Sequence, residues 1–157
     1  MKLAEALSRR SDAQKRLEQL RARATGSARY QEGTPPPEDP AELHTEALAV
    51  IDEIEQLVRR INRTNAATKL APNLTITDAL AQRDALSAKR ALTATLADAA
   101  SGQRRELGWG RQLRSELRDV TDLSVPQLRR EADQQARAHR ELDSTLQEAN
   151  WATELMD

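Results

Sequence analysis

The sequence predicts a mainly α fold, an antiparallel bundle of about four helices in a single domain, 1–157. It leaves room for a small two-stranded β-ribbon. Three observations carry this. The chain has no Phe, one Tyr and two Trp, and aromatic residues make up 2%. Leu and Ala supply the apolar material instead, and both are strong helix formers, whereas the β-branched residues that favour strands are few. Apolar residues also recur at spacings of three and four over long segments, which is the period of one face of a helix. Finally, the two longest such segments match in length, which favours antiparallel packing.

The first helix is read over about 2–24, with Leu3, Leu7, Ala13, Leu17, Leu20 and Ala24 as its apolar positions and Arg10 and Gln14 interrupting them. Glu5 with Arg9 and Asp12 with Arg16 have the spacing of i,i+4 ion pairs. Residues 25–40, TGSARYQEGTPPPEDP, break the pattern, because two glycines and four prolines oppose a continuous helix. Within this linker ARYQE, 28–32, has the character of a short strand.

The second helix, about 41–69, begins with Asp39 as N-cap and Pro40 in the first turn, where its missing N–H costs nothing. Ala47, Ile54, Ile61 and Thr68 share one heptad position, and His44, Ile51, Val58 and Asn65 share the next. Leu43, Val50 and Leu57 broaden this stripe on one flank. The seam thus runs into an amide, with a second amide at Asn62. The third helix, about 77–100, follows the cap-like TITD of 75–78 and closes at Ser101-Gly102. Its stripe is Ala81, Ala85, Ala88, Leu92, Leu96 and Ala99.

Residues 101–124 form a second linker. Gly108 and Gly110 bracket Trp109, and 112–121 reads as a strand or a helical turn; as a strand, 113–119 would pair with 28–32. The fourth helix, about 125–155, starts at SVPQ with Ser124 as cap and Pro126 in the first turn. Its seam is Val125, Leu128, Ala132, Gln135, His139, Leu142, Leu146, Ala149 and Thr153.

Composition narrows the chemistry. Charged residues are 31% and nearly cancel, for a net charge of -1, so no global field draws in nucleic acid or an anionic membrane. There is no Cys, which removes disulfides, thiol nucleophiles and Cys-based metal sites. Neither His is preceded by Glu three residues earlier, so the Glu-x-x-His signature of di-iron bundles is missing. No phosphate-binding glycine loop is present. The N-terminus lacks the apolar core of a secretory signal, and no apolar run approaches the ~20 residues of a membrane span; a cytoplasmic location is expected. No catalytic residue, cofactor or metal site is expected either.

Two clusters remain. Asn62, Asn65, Gln135 and His139 lie at seam positions, where a polar residue lowers stability but selects register and oligomer state. Trp151 and Leu155, a helical turn apart, either cover the end of the bundle or anchor a subunit contact. The second cluster is Arg104, Arg105, Arg111, Arg114 and Arg118 around Trp109, a pattern suited to phosphate contact and base stacking. Interleaved Glu106 and Glu116 make a solvated face the plainer reading.

Several segments taken together resemble a known family. The start MKLAEALxxRxDxQKRLxxL, the linker ARYQEG…PPEDPAEL, the helix end INRTN, then ALAQRDAL and the tail RELDSTLQEANWATEL are similar to short bacterial proteins labelled septicolysin-like. The resemblance implies a small, mostly helical bacterial protein with no assigned activity. Its label suggests a pore-forming toxin, which the mixed-charge helices do not support. The sequence therefore favours a non-catalytic helical assembly protein that self-associates into a homo-oligomer. The alternatives are a nucleic-acid or anion-binding module using 104–118, and an enzyme built round the amide and histidine cluster.

Overall fold

The computed structural model describes residues 1–102 and 120–157. These residues form a mainly α protein of four helices with one small antiparallel sheet: α1 (Leu3–Ser27), α2 (Pro40–Ala67), β1 (Lys69–Ala71), β2 (Leu74–Thr75), α3 (Ile76–Ala100) and α4 (Val125–Ala152). The chain divides into two compact units. One comprises Met1–Thr77 together with Gln147–Asp157, and the other Asp78–Leu146.

The helix ends follow from local chemistry. At the start of α1 the Lys2 N–H donates to the Glu5 carboxylate at 2.7 Å, which gives one orphan donor a partner. The helix continues through Gly26 to Ser27, a turn beyond the sequence expectation, and Gly33 makes the linker turn with a φ of +83°. Asp39 caps α2 by accepting the Ala41 and Glu42 N–H groups at 2.8 and 3.4 Å, with Pro40 in the first position. Thr75 immediately precedes α3, so the TITD spacing puts Asp78 at its third residue. Beyond α3, Gly102 adopts φ +81°, the left-handed conformation of a helix-terminating glycine.

α1 and α2 pack antiparallel. Ala13, Leu20, Leu43 and Val50 form a buried cluster, with Leu17, Ala24, Ala47 and Ile54 packed around it. Burying each such large side chain contributes about 1.5–3 kcal/mol. Along one flank runs a ladder of ion pairs: Arg9 Nη2 to Glu53 at 2.6 Å, Arg16 Nη2 to Glu46 at 2.6 Å, and Arg23 to Glu38. From Arg9 to Arg16, seven residues forward on α1 match seven residues backward on α2. Exposed pairs of this kind add little stability, but a shifted register would unpair the ladder and misalign the cluster. The i,i+4 partners expected within α1 are replaced accordingly, because Arg9 and Arg16 reach across to α2 and Lys15 takes Asp12 at 3.4 Å.

The core register of α2 differs from the expected one. Leu43, Val50, Leu57, Ile61 and Thr64 are buried, with Ala47 and Ile54 half-buried. His44 and Ile51 are exposed, and Val58 and Asn65 are half-buried. The supposed flank is the seam. Both sets alternate threes and fours with shared partners at 47, 54 and 61, so spacing alone does not separate them. In α3 the expected stripe is wholly exposed, from Ala81 to Ala99; Ile76, Ala79, Thr93 and Ala97 are buried instead. Alanine occurs on every side of this helix, and its periodicity therefore marks no face. The α4 seam agrees with expectation: Leu146 is buried and the other eight positions are half-buried.

The β-ribbon lies elsewhere than expected. Residues 28–32 form no strand, and 113–119 fall outside the described residues. The strands are β1 and β2, joined by Pro72-Asn73, with Lys69 opposite Thr75 and Ala71 opposite Leu74. Asn73 does not have positive φ, so the corner lacks the primed geometry whose twist suits longer hairpins, and the pairing stops within three residues. The Ile76 N–H donates to the Thr68 carbonyl at 3.0 Å, binding the ribbon to the end of α2.

Candidate interaction surface

The most elaborate set of contacts in the first unit joins residues 1–3, the end of α2 and the segment after α4. The Leu3 N–H donates to Thr153 O, and the Leu155 N–H to Met1 O, each at 2.9 Å. Lys2 Nζ lies 2.8 Å from Glu154 Oε1, and the Met1 amine 3.2 Å from Glu154 Oε2. Arg60 donates to Met156 O at 3.0 Å and to Asp157 Oδ1 at 2.8 Å, while Arg63 donates to Asp157 O at 2.9 Å. Buried Thr64 sits at the centre: its hydroxyl donates to Arg60 O at 2.8 Å and accepts the Met156 N–H at 3.0 Å. Leu155 is buried there. It lies beyond the end of α4, not one helical turn along it from Trp151.

A carboxylate in this clasp and another in the linker should make the stability of the fold depend on acid. Hydrogen bonds from Lys2 and the chain terminus hold the Glu154 carboxyl below its ordinary pKa, and the Arg23 hydrogen bond does the same for Glu38. A carboxylate depressed in the folded state stabilises fully above the unfolded carboxylate range and loses that contribution as pH falls through the folded value. The thermal midpoint should therefore decline as pH drops from 7 to below about 4. Glu38→Gln with Glu154→Gln should flatten that decline in a calorimetric pH series; an unchanged slope would remove both groups from the explanation.

The residues singled out from sequence do not converge on one pocket. Asn62 is exposed and Asn65 half-buried on α2. Gln135 and His139 are half-buried on α4; Gln135 Nε2 donates to Glu131 at 3.2 Å, while its buried Oε1 has no partner among the described residues. Trp151 is 64% exposed, so it does not cover a helix end. Arg104, Arg105, Arg111, Arg114 and Arg118 lie outside the described residues. A groove of about 340 Å³ over α1 and α2 is lined by Asp12, Lys15, Arg16, Arg23 and Glu46, and each of these charges already has an ion-pair partner. Among the described residues no three His, Asp or Glu come together as a metal site would need. No helix among them is long and apolar enough to cross a membrane.

What does stand out is apolar surface. Beside the buried seam, α2 carries a second stripe of His44, Leu48, Ile51, Val58, Asn62 and Asn65, on which Leu48 and Ile51 are 49% and 45% exposed. On α3, Leu92 is 70% exposed and Leu96 40%. Thr64, the buried polar residue of the seam, was not among the sequence candidates. Its signal was present: it stands seven residues beyond Leu57 in the series Leu43, Val50, Leu57.

Among the described residues the chain is thus a mainly α protein whose helices expose apolar faces. Residues 10–155 match the Family of unknown function (DUF6847), and the chain belongs to that family. It is similar, at 40% identity over 99% of both chains and a TM-score of 0.90, to a functionally unknown conserved protein from Corynebacterium diphtheriae. No curated protein matches. These findings overturn the septicolysin-like resemblance. Two of the segments that suggested it, INRTN and QEANW, lie within α2 and α4. The toxin role implied by that label goes with it.

Proposed function

We propose that this is a non-catalytic assembly protein that works by pairing a helix face with a second copy of itself. The second apolar stripe of α2 carries this reading. Leu48 and Ile51 face solvent beside a complete α1–α2 core, so they are surplus to the fold of the single chain. The amides Asn62 and Asn65 continue that stripe, where polar groups would disfavour misaligned partners. Trp151 offers a further exposed anchor of the kind enriched at interfaces.

Light scattering across a concentration series tests the proposal. The wild-type chain should form a defined oligomer. Ile51→Glu, which places a charge in the contact, should weaken it at least about tenfold, equivalent to roughly 1.4 kcal/mol. Its circular dichroism should stay unchanged, because the position is exposed in the single chain. A strictly monomeric wild type at several hundred micromolar would overturn the reading.

A further inference from the structure

We infer that the second copy meets α2 antiparallel, about a two-fold axis near Glu55 and Gln56. The inference rests on the self-association proposed above and adds the face and the orientation. Its basis is the order of charges along α2. From Pro40 to Val58 the acidic and basic residues are Glu42, Glu46, Asp52, Glu53 and Glu55, all acidic; from Arg59 to Ala67 they are Arg59, Arg60 and Arg63, all basic. Several are already engaged within the chain. Glu46 and Glu53 pair with Arg16 and Arg9, and Arg60 and Arg63 hold the tail. This leaves Glu42 near the start of the helix and, along the exposed apolar stripe, Asp52, Glu55 and Arg59, of which Glu55 and Arg59 make only a long, exposed contact of 3.4 Å.

Asp52 and Arg59 are seven residues apart and so flank the stripe on the same side. If two α2 helices ran parallel, acids would face acids and bases would face bases along the whole contact. Run antiparallel, Asp52 of each copy comes opposite Arg59 of the other, twice, because the same patch is used by both chains. Glu42 then approaches the partner's basic end. Leu48, Ile51 and Val58 lie on both sides of the axis and so fall inside the overlap, with the exposed Glu55 of each copy beside the axis itself. The face on α3 lacks such an order: its exposed stripe is Ala and Leu, and the exposed charges along it, Asp84, Lys89, Arg90 and Asp98, are not divided into an acidic and a basic half.

The absence of native Cys makes single cysteines unique handles. Thr45→Cys and Ala66→Cys chains, mixed and treated with a maleimide cross-linker of about 10 Å reach, should join to each other. Neither should join to itself, because antiparallel copies of position 45 stand roughly 30 Å apart along the axis at ~1.5 Å per residue. Self-linking of both variants would show parallel helices and overturn the inference. A charge exchange supplies the second arm. Arg59→Asp should weaken self-association about tenfold by facing Asp52 with a like charge, and adding Asp52→Arg should restore it. An oligomer that resists both changes but falls apart with Leu92→Glu would place the contact on α3. That would sink the inference while leaving self-association standing, whereas a strict monomer would remove both.

Discussion

Leu20→Ala should lower the unfolding free energy by about 2–5 kcal/mol. Leu20 is 1% exposed and lies in the cluster with Ala13, Leu43 and Val50. Ala24, one turn further along α1 and packed on the same cluster, is already small, so it has little side-chain volume to move into the vacated space. Helix propensity would not mask the effect, since Ala is at least as good a helix former as Leu. Leu92→Ala is the control: Leu92 is 70% exposed, and its replacement should change stability by no more than about 0.5 kcal/mol in the single chain. Urea unfolding of the two variants side by side checks the pair. Equal losses would mean that the cluster between α1 and α2 is not the core of its unit.

Thr64→Val is the second large effect, and it separates polarity from packing. Valine keeps the shape of threonine, so the cavity term is small. It removes the acceptor of the Met156 N–H, and that bond spans most of the chain. A buried N–H left without a partner costs about 1–3 kcal/mol, and this part-buried bond should cost near the lower end of that range. The loss should be accompanied by release of the tail, read as faster proteolysis after Ala152 and a shift in Trp151 fluorescence. Thr64→Ser retains the hydroxyl and should keep the tail docked, at the smaller cost of one methyl group. Loss of stability in Thr64→Val with an undisturbed tail would show that the methyl environment, and not the hydrogen bond, matters at this position.

The legible parts of the fold were those fixed by local chemistry. Asp39 and Pro40 mark the start of α2, TITD marks the start of α3, and Gly102 marks its end; in each case the signal lies within four residues of its effect. Facial assignment depended on side-chain size. The α4 seam was readable because its Leu residues stand out against polar neighbours. The α3 face was not, because alanine fits both a close helix contact and water. On α2 two registers were equally periodic, and the choice was made by partners on α1: Arg9, Arg16 and Leu20 settle it, and they are far away in sequence. For the same reason the clasp was not foreseen. Nothing near Lys2 or Thr64 indicates that Glu154 and Met156 will come to them. The spacing points to Asn65, yet the hydroxyl one residue earlier, on Thr64, is the group that the fold buries.

The arrangement of the first unit has a consequence for how the protein is made. Its residues come from both sides of an intervening stretch, Asp78–Leu146, which forms a unit of its own. As the chain leaves the ribosome, α1 and α2 emerge together and can zip along their ion-pair ladder at once, because nothing in that ladder lies beyond Glu53. The far end of α2 has to wait. Thr64, Arg60 and Arg63 remain without their tail partners, which lie 92 to 97 residues further on, while the chain grows at ~5–20 residues per second. For those seconds a half-finished surface is open at one end of an otherwise closed hairpin, and residues 153–157, made long after it, are the ones that shut it.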